Sequence, residues 1–105
     1  MAKEIQSLEE FDAILAQGGK TVVDFFATWC PPCKVMGQVI EEIQGEYPDV
    51  NFIKVDTDKL PAIAQRYGVY SIPQINLILN GKEANKLVGS RPASAFKDEL
   101  NRAFN

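Results

Sequence analysis

Hydrophobic and polar positions follow two rhythms along this chain, one of period two and one near 3.6, and they alternate in blocks. Glu4 to Gln6 reads as a short edge strand. Ser7 with Glu10 three residues on forms a capping box, and Leu8, Phe11, Ile14 and Leu15 then make one helical stripe that Gly18-Gly19 stops. Thr21 to Ala27 is the next strand. From Val22 it is apolar except for Asp24, as in a strand covered on both faces. Val35, Met36, Val39, Ile40, Ile43 and Tyr47 have helical spacing, which predicts a long helix from Cys33 to about Tyr47 before the Pro48-Asp49 turn. Asn51 to Asp56 is a third strand. Asp58 is placed to cap a short helix from about Leu60 to Tyr67, with Pro61 in its first turn and Gly68 after it. Val69 to Ser71 connects to Ile72-Pro73. Gln74 to Leu79 and Lys82 to Val88 flank Asn80-Gly81, a strong hairpin signal, and the second of the pair carries the charge expected of an edge. After Gly89, Pro92 opens a last helix with Ala93, Phe96, Leu100, Ala103 and Phe104 on its buried stripe.

The resulting order, β-α-β-α-β-α-β-β-α, contains helical crossovers early and a tight turn late. Crossovers pair strands in parallel and tight turns pair them antiparallel. The fold class is therefore α/β. A mixed central sheet of about five strands is flanked by four helices on its two faces, in three α/β/α layers. No repeat, linker or low-complexity segment divides residues 1–105, so a single domain is expected.

The junction after the second strand carries candidate chemistry. Cys30-Pro31-Pro32-Cys33 holds both cysteines of the chain. Proline disfavours αR in the residue before it, so Cys30 and Pro31 are expected extended, with Pro31 as N-cap and Pro32 as first helical residue. Cys30 then stands just before a helix N-terminus, where free N–H groups and the macrodipole favour an anion. Its thiol pKa is expected to fall and its exposed sulfur to be nucleophilic. Cys33, one turn on and less exposed, is close enough to bridge to it. Such a pair attacks a foreign disulfide through Cys30 and releases the product through Cys33. A structural cysteine pair has the same spacing, and so has a zinc half-site. Zinc would need two more ligands, and the chain has no histidine, so no metal site is expected.

Composition narrows the compartment and partners. The chain is 105 residues long, 46% hydrophobic, with a net charge of −3 and no basic cluster, which argues against nucleic acid. No apolar run reaches membrane-spanning length, and Met1-Ala2-Lys3-Glu4 opens no apolar secretory segment. A cytoplasmic setting is expected, where a cysteine pair is more often catalytic than structural.

Asp24 shares a strand face with Val22 and Phe26 and should be buried among apolar neighbours. Desolvation raises the pKa of such a carboxyl toward the range useful for proton transfer.

The stretch Val23-Asp24-Phe25 followed by Trp29-Cys30-Pro31-Pro32-Cys33-Lys34 resembles the active site of the thioredoxin family, whose usual form is W-C-G-P-C-K after a V-D-F strand. The resemblance spans nearly the whole chain, and the predicted element order is that of the thioredoxin fold. It implies a thiol–disulfide oxidoreductase that reduces disulfides in other proteins by cycling Cys30 and Cys33. No bound cofactor is implied. An upstream flavoenzyme of the thioredoxin-reductase kind, using NADPH, would restore the dithiol. The resemblance gives Asp24 the task of deprotonating Cys33, makes the Ile72–Pro73 bond cis, and lets the backbone there receive the substrate chain as an added strand. Trp29, Pro31, Pro32, Ile72, Pro73 and Gly89 become the substrate-facing set. A disulfide oxidant or isomerase of the same fold is the alternative enzyme, and a non-redox binding module the alternative class. A monomer is expected.

Four positions depart from the family pattern. Pro31 replaces a glycine, Gln74 a threonine, Phe26 a tryptophan, and Gln38 a helix-kinking proline. A lysine common on the third strand aligns best with Phe52, with Lys54 two residues on, which leaves Asp24 without that cation.

Overall fold

The computed structural model describes residues 2–105; Met1, part of the polar opening noted above, lies outside them. Its elements are β1 (Lys3–Glu4), α1 (Leu8–Ala16), β2 (Lys20–Phe26), α2 (Pro31–Ile43) with a 3-10 turn at Gln44–Glu46, β3 (Val50–Asp56), α3 (Pro61–Arg66), β4 (Gln74–Leu79), β5 (Lys82–Val88) and α4 (Ala93–Phe104). The strands form one sheet in the order β1-β3-β2-β4-β5. β1, β3 and β2 run parallel, and β4 and β5 are antiparallel to their neighbours, so β2 is the central strand.

Alternation along β2 decides which layer each side chain enters. Val22 joins Met36, Ile40, Ile75, Leu77, Phe96 and Leu100 beneath α2 and α4. Val23 and Phe25 join Phe11, Ile53, Val55 and Ile63 beneath α1 and α3. Burial on both sides explains why β2 reads as a nearly continuous apolar run. Leu87 is the one buried residue of β5, as its charged edge pattern requires.

Several boundaries differ from those expected, each for a local reason. The edge strand is Lys3–Glu4 rather than Glu4–Gln6, although Ile5 N–H still reaches the Lys54 carbonyl at 2.9 Å. Helix α2 begins at Pro31, so Pro31 is not the N-cap. Its ring already fixes a helical φ, and the preceding residue, Cys30, takes the cap in an extended conformation (φ −101°, ψ 105°). Likewise Pro92 is the cap of α4, with Ala93 as the first helical residue. Asp58 does not cap α3. The chain turns two residues earlier, where the Asp56 carboxylate accepts from the N–H groups of Asp58 and Lys59 at 2.9 and 3.2 Å, and Leu60 becomes the cap. The hairpin has positive φ at both Asn80 and Gly81 (52° and 82°), the twist that suits adjacent antiparallel strands.

Candidate active site at the end of the central strand

β2 delivers the chain to the C-terminal edge of the sheet, and α2 starts there. Cys30 and Cys33 are joined as a disulfide with Cα atoms 5.3 Å apart. Pro31 and Pro32 have no N–H, so the first donor of the helix belongs to Cys33. It points to Cys30 Sγ at 3.3 Å and to the Cys30 carbonyl at 3.1 Å. The sulfur of Cys30 is thus the side-chain cap of α2, in the place where an anion is stabilised. The expected contrast in exposure is not observed in this oxidised state: Cys30 and Cys33 are each 4% exposed. The disulfide covers one side of each sulfur, and Ala27, Phe26 and Ile72 pack around the pair.

Asp24 is buried, 4% exposed, and its Oδ1 has no hydrogen-bond partner. Desolvation pushes its pKa from 3.8 up to about 7, and the positive charge of Lys54 partly opposes that rise. Lys54 therefore corrects the sequence alignment. The parallel register pairs Asp24 with Lys54 and Val22 with Phe52, so the third strand does supply a cation beside the buried carboxyl. Lys54 Nζ also lies 5.3 Å from the centre of the Phe26 ring. Asp24, Cys33 and Lys54 line one cavity of about 470 Å³, rimmed by Lys34, Gln38 and Glu41. This cavity gives the carboxyl a route to solvent behind the second cysteine.

Ile72–Pro73 is a cis peptide bond, and the Ile72 carbonyl oxygen is 4.0 Å from Cys30 Sγ. Gly89 donates its N–H to the Pro73 carbonyl at 2.8 Å. Its φ of +89° suits glycine, and a Cβ there would meet no atom of the protein and would point into open space. Trp29 is 68% exposed, and its indole N–H donates to Asp58 Oδ2 at 2.9 Å. Asp58 is thus the hydrogen-bond partner of Trp29, a contact that its position after β3 did not reveal. Sequence reasoning also missed the buried amides of β4. Gln74 donates to the Tyr67 carbonyl at 3.1 Å and to Asn76 Oδ1 at 2.8 Å, so the residue after Pro73 is tied inward to the end of α3. Polar residues in an apolar strand were the available signal.

The thioredoxin family model, described as "Thioredoxin", matches residues 3–102. The chain belongs to the thioredoxin family. Thioredoxin-1 of Saccharomyces cerevisiae is 43% identical over 94 residues, covering 90% of this chain and 91% of the yeast protein. A thioredoxin of Mycoplasmoides gallisepticum is 39% identical over 98 residues, covering 93% of this chain and 98% of that one. Among solved structures, Plasmodium falciparum thioredoxin superposes with a TM-score of 0.90 at 35% identity, covering 96% and 98% of the two chains. Thioredoxin NaTrxh of Nicotiana alata gives 0.91 at 31% identity, covering 99% and 93%. As a member of that family, this protein is a thiol–disulfide oxidoreductase, and Cys30–Cys33 is its redox pair.

Proposed function

We propose that the reduced protein delivers two electrons to disulfides of other proteins, with Cys30 as nucleophile, Cys33 as resolving thiol and Asp24 as proton acceptor. The Cys30 thiolate attacks one sulfur of the substrate disulfide. That S–S bond breaks, a mixed disulfide forms, and the departing thiolate takes a proton from solvent. Cys33 then passes its proton to the Asp24 carboxylate and attacks Cys30 Sγ. The Cys30–Cys33 bond forms, and the second substrate sulfur leaves as a thiolate. The observation that carries this reading is the capping of α2 by Cys30 Sγ, with a buried, unpaired carboxyl behind Cys33.

Trp29, Pro31, Pro32, Ile72, Pro73 and Gly89 form the surface on which the substrate chain lies. Ile72 offers backbone beside the attacked sulfur, and Gly89 leaves the space opposite it clear. An upstream flavoenzyme using NADPH returns the dithiol, and the protein works as a monomer in a cytosol-like reducing compartment without a bound cofactor. Among the described residues no helix is long and apolar enough to cross a membrane. A structural neighbour, at a TM-score of 0.88 and 33% identity, comes from work on thiol resolution of a yeast mitochondrial 1-Cys peroxiredoxin by the glutathione and thioredoxin systems. A peroxide-handling thiol protein is accordingly one substrate class for this chain.

The test is insulin reduction with dithiothreitol as electron source. Wild-type protein accelerates it, and Cys30→Ser abolishes the acceleration. Equal rates for the two proteins would overturn the redox assignment.

A further inference from the structure

Strand β4 carries two amides on a face that is otherwise apolar. In register, Gln74 lies opposite Phe25 and Asn76 opposite Val23, two members of the layer beneath α1 and α3. Gln74 is 1% exposed and Asn76 0%. A buried amide costs free energy unless it is hydrogen-bonded, and these two are bonded in series. Gln74 Nε2 donates to the Tyr67 carbonyl at 3.1 Å and to Asn76 Oδ1 at 2.8 Å. Asn76 Nδ2 in turn donates to Glu83 Oε1 at 2.6 Å, on the exposed strand β5. Two apolar side chains of similar shape would leave stability little changed. What the amides add is direction, since each bond holds the next group in one orientation.

That direction bears on the redox centre. Tyr67 is the C-cap of α3 and Gln74 the first residue of β4, so the bond between them closes the loop 68–73 at its base. The loop carries Ile72, whose side chain packs against Cys30 and Cys33 and whose carbonyl oxygen lies 4.0 Å from Cys30 Sγ. Among the described residues, the N–H groups of Tyr70, Ser71 and Ile72 donate to no backbone carbonyl. The loop is held from its ends instead. Gly68 and Val69 N–H groups reach back to Gln65 and Ala64 at one end, and the Pro73 carbonyl and the Gln74 amide are tied at the other.

We propose that Gln74, oriented by Asn76 and Glu83, is a positioning residue for the reaction: it staples this loop so that the Ile72 backbone stands beside Cys30, where a polypeptide substrate lies. The proposal rests on the protein-disulfide reading above. The staple serves substrates that bring a peptide backbone to the site and is immaterial to a small disulfide that meets Cys30 alone.

The test compares insulin with dithiobis-nitrobenzoate, a small aryl disulfide that has no peptide backbone. The double variant Gln74→Leu with Asn76→Leu replaces both amides by apolar side chains and is expected to unfold in urea close to the wild type. Its KM for insulin should rise roughly tenfold, the scale of one hydrogen bond, with kcat and the rate on the aryl disulfide unchanged. Glu83→Ala removes the outer acceptor without touching the core, and it should raise KM for insulin about threefold, at the lower end of the same scale. Glu83→Gln keeps an acceptor oxygen and should restore the wild-type value. An unchanged KM in either the double variant or Glu83→Ala, or equal slowing on both substrates, overturns the proposal. If the double variant fails to fold, the Glu83 pair decides. A wild-type protein that reduces neither substrate overturns the redox reading, and the positioning role with it.

Discussion

At the scale of single residues, the decisive quantity is the protonation of Asp24. Its folded pKa of about 7 stands above its ordinary 3.8, so the native state holds a proton that the unfolded state releases between those values. The contribution to stability is complete below pH 4 and is lost as pH rises through 7. Asp24→Asn is therefore expected to raise stability at pH 8 by a few kcal/mol, at about 1.4 kcal/mol per pKa unit, and to leave it nearly unchanged at pH 4. Urea unfolding at the two pH values checks this, and a gain of equal size at both would remove the buried charge as its cause. The same substitution takes away the carboxylate proposed to accept the proton of Cys33. Release of the mixed disulfide should slow by up to about 100-fold at pH 7, while the first attack by Cys30 changes little. Rapid-mixing measurement of the two steps separates them, and parallel slowing of both would assign Asp24 a structural role only. The aspartate itself was legible as a lone carboxylate in an apolar strand. Lys54 beside it was not, because a strand alignment does not contain the register that sets Asp24 opposite Lys54.

At the scale of elements, α2 acts on the chemistry through its first turn. Pro31 and Pro32 leave Cys33 as the first N–H donor, and that donor already points at Cys30 Sγ in the oxidised state. Reduction replaces the bonded sulfur with a thiolate at the same helix end. The Cys30 thiol is expected to titrate well below the ordinary value of about 8.5. The pH dependence of its alkylation by iodoacetamide reads this directly, and an inflection near 8.5 would contradict a capped thiolate. The hairpin makes a separate point. Gly81 has a φ of 82°, so Gly81→Val is expected to cost about 1–2 kcal/mol in equilibrium unfolding, although a Cβ there meets no neighbour. Element identity and order were readable from periodicity and turn residues. Exact starts were not, since proline at the head of α2 and α4 shifts the cap by one residue according to how the preceding loop arrives.

At the scale of the whole molecule, the sheet separates two apolar layers, one containing Phe96 and the other Phe11. Truncating either ring to alanine should cost about 3–5 kcal/mol. Because the two layers lie on opposite faces, the double variant should lose the sum to within about 0.5 kcal/mol. A coupling much larger than that in denaturant unfolding would mean that the layers are not independent. The sequence by itself determined the element order, the three layers and the buried aspartate, because each is written in local periodicity or in proline and glycine, while the redox reading of Cys30 and Cys33 came from the resemblance of their flanking residues to the thioredoxin family. Tertiary structure alone decided that Lys54 stands beside Asp24, that Asp58 holds Trp29, and that Gly89 touches Pro73. Those relations join segments far apart along the chain, and only strand register and the packing of helices on the sheet fix them.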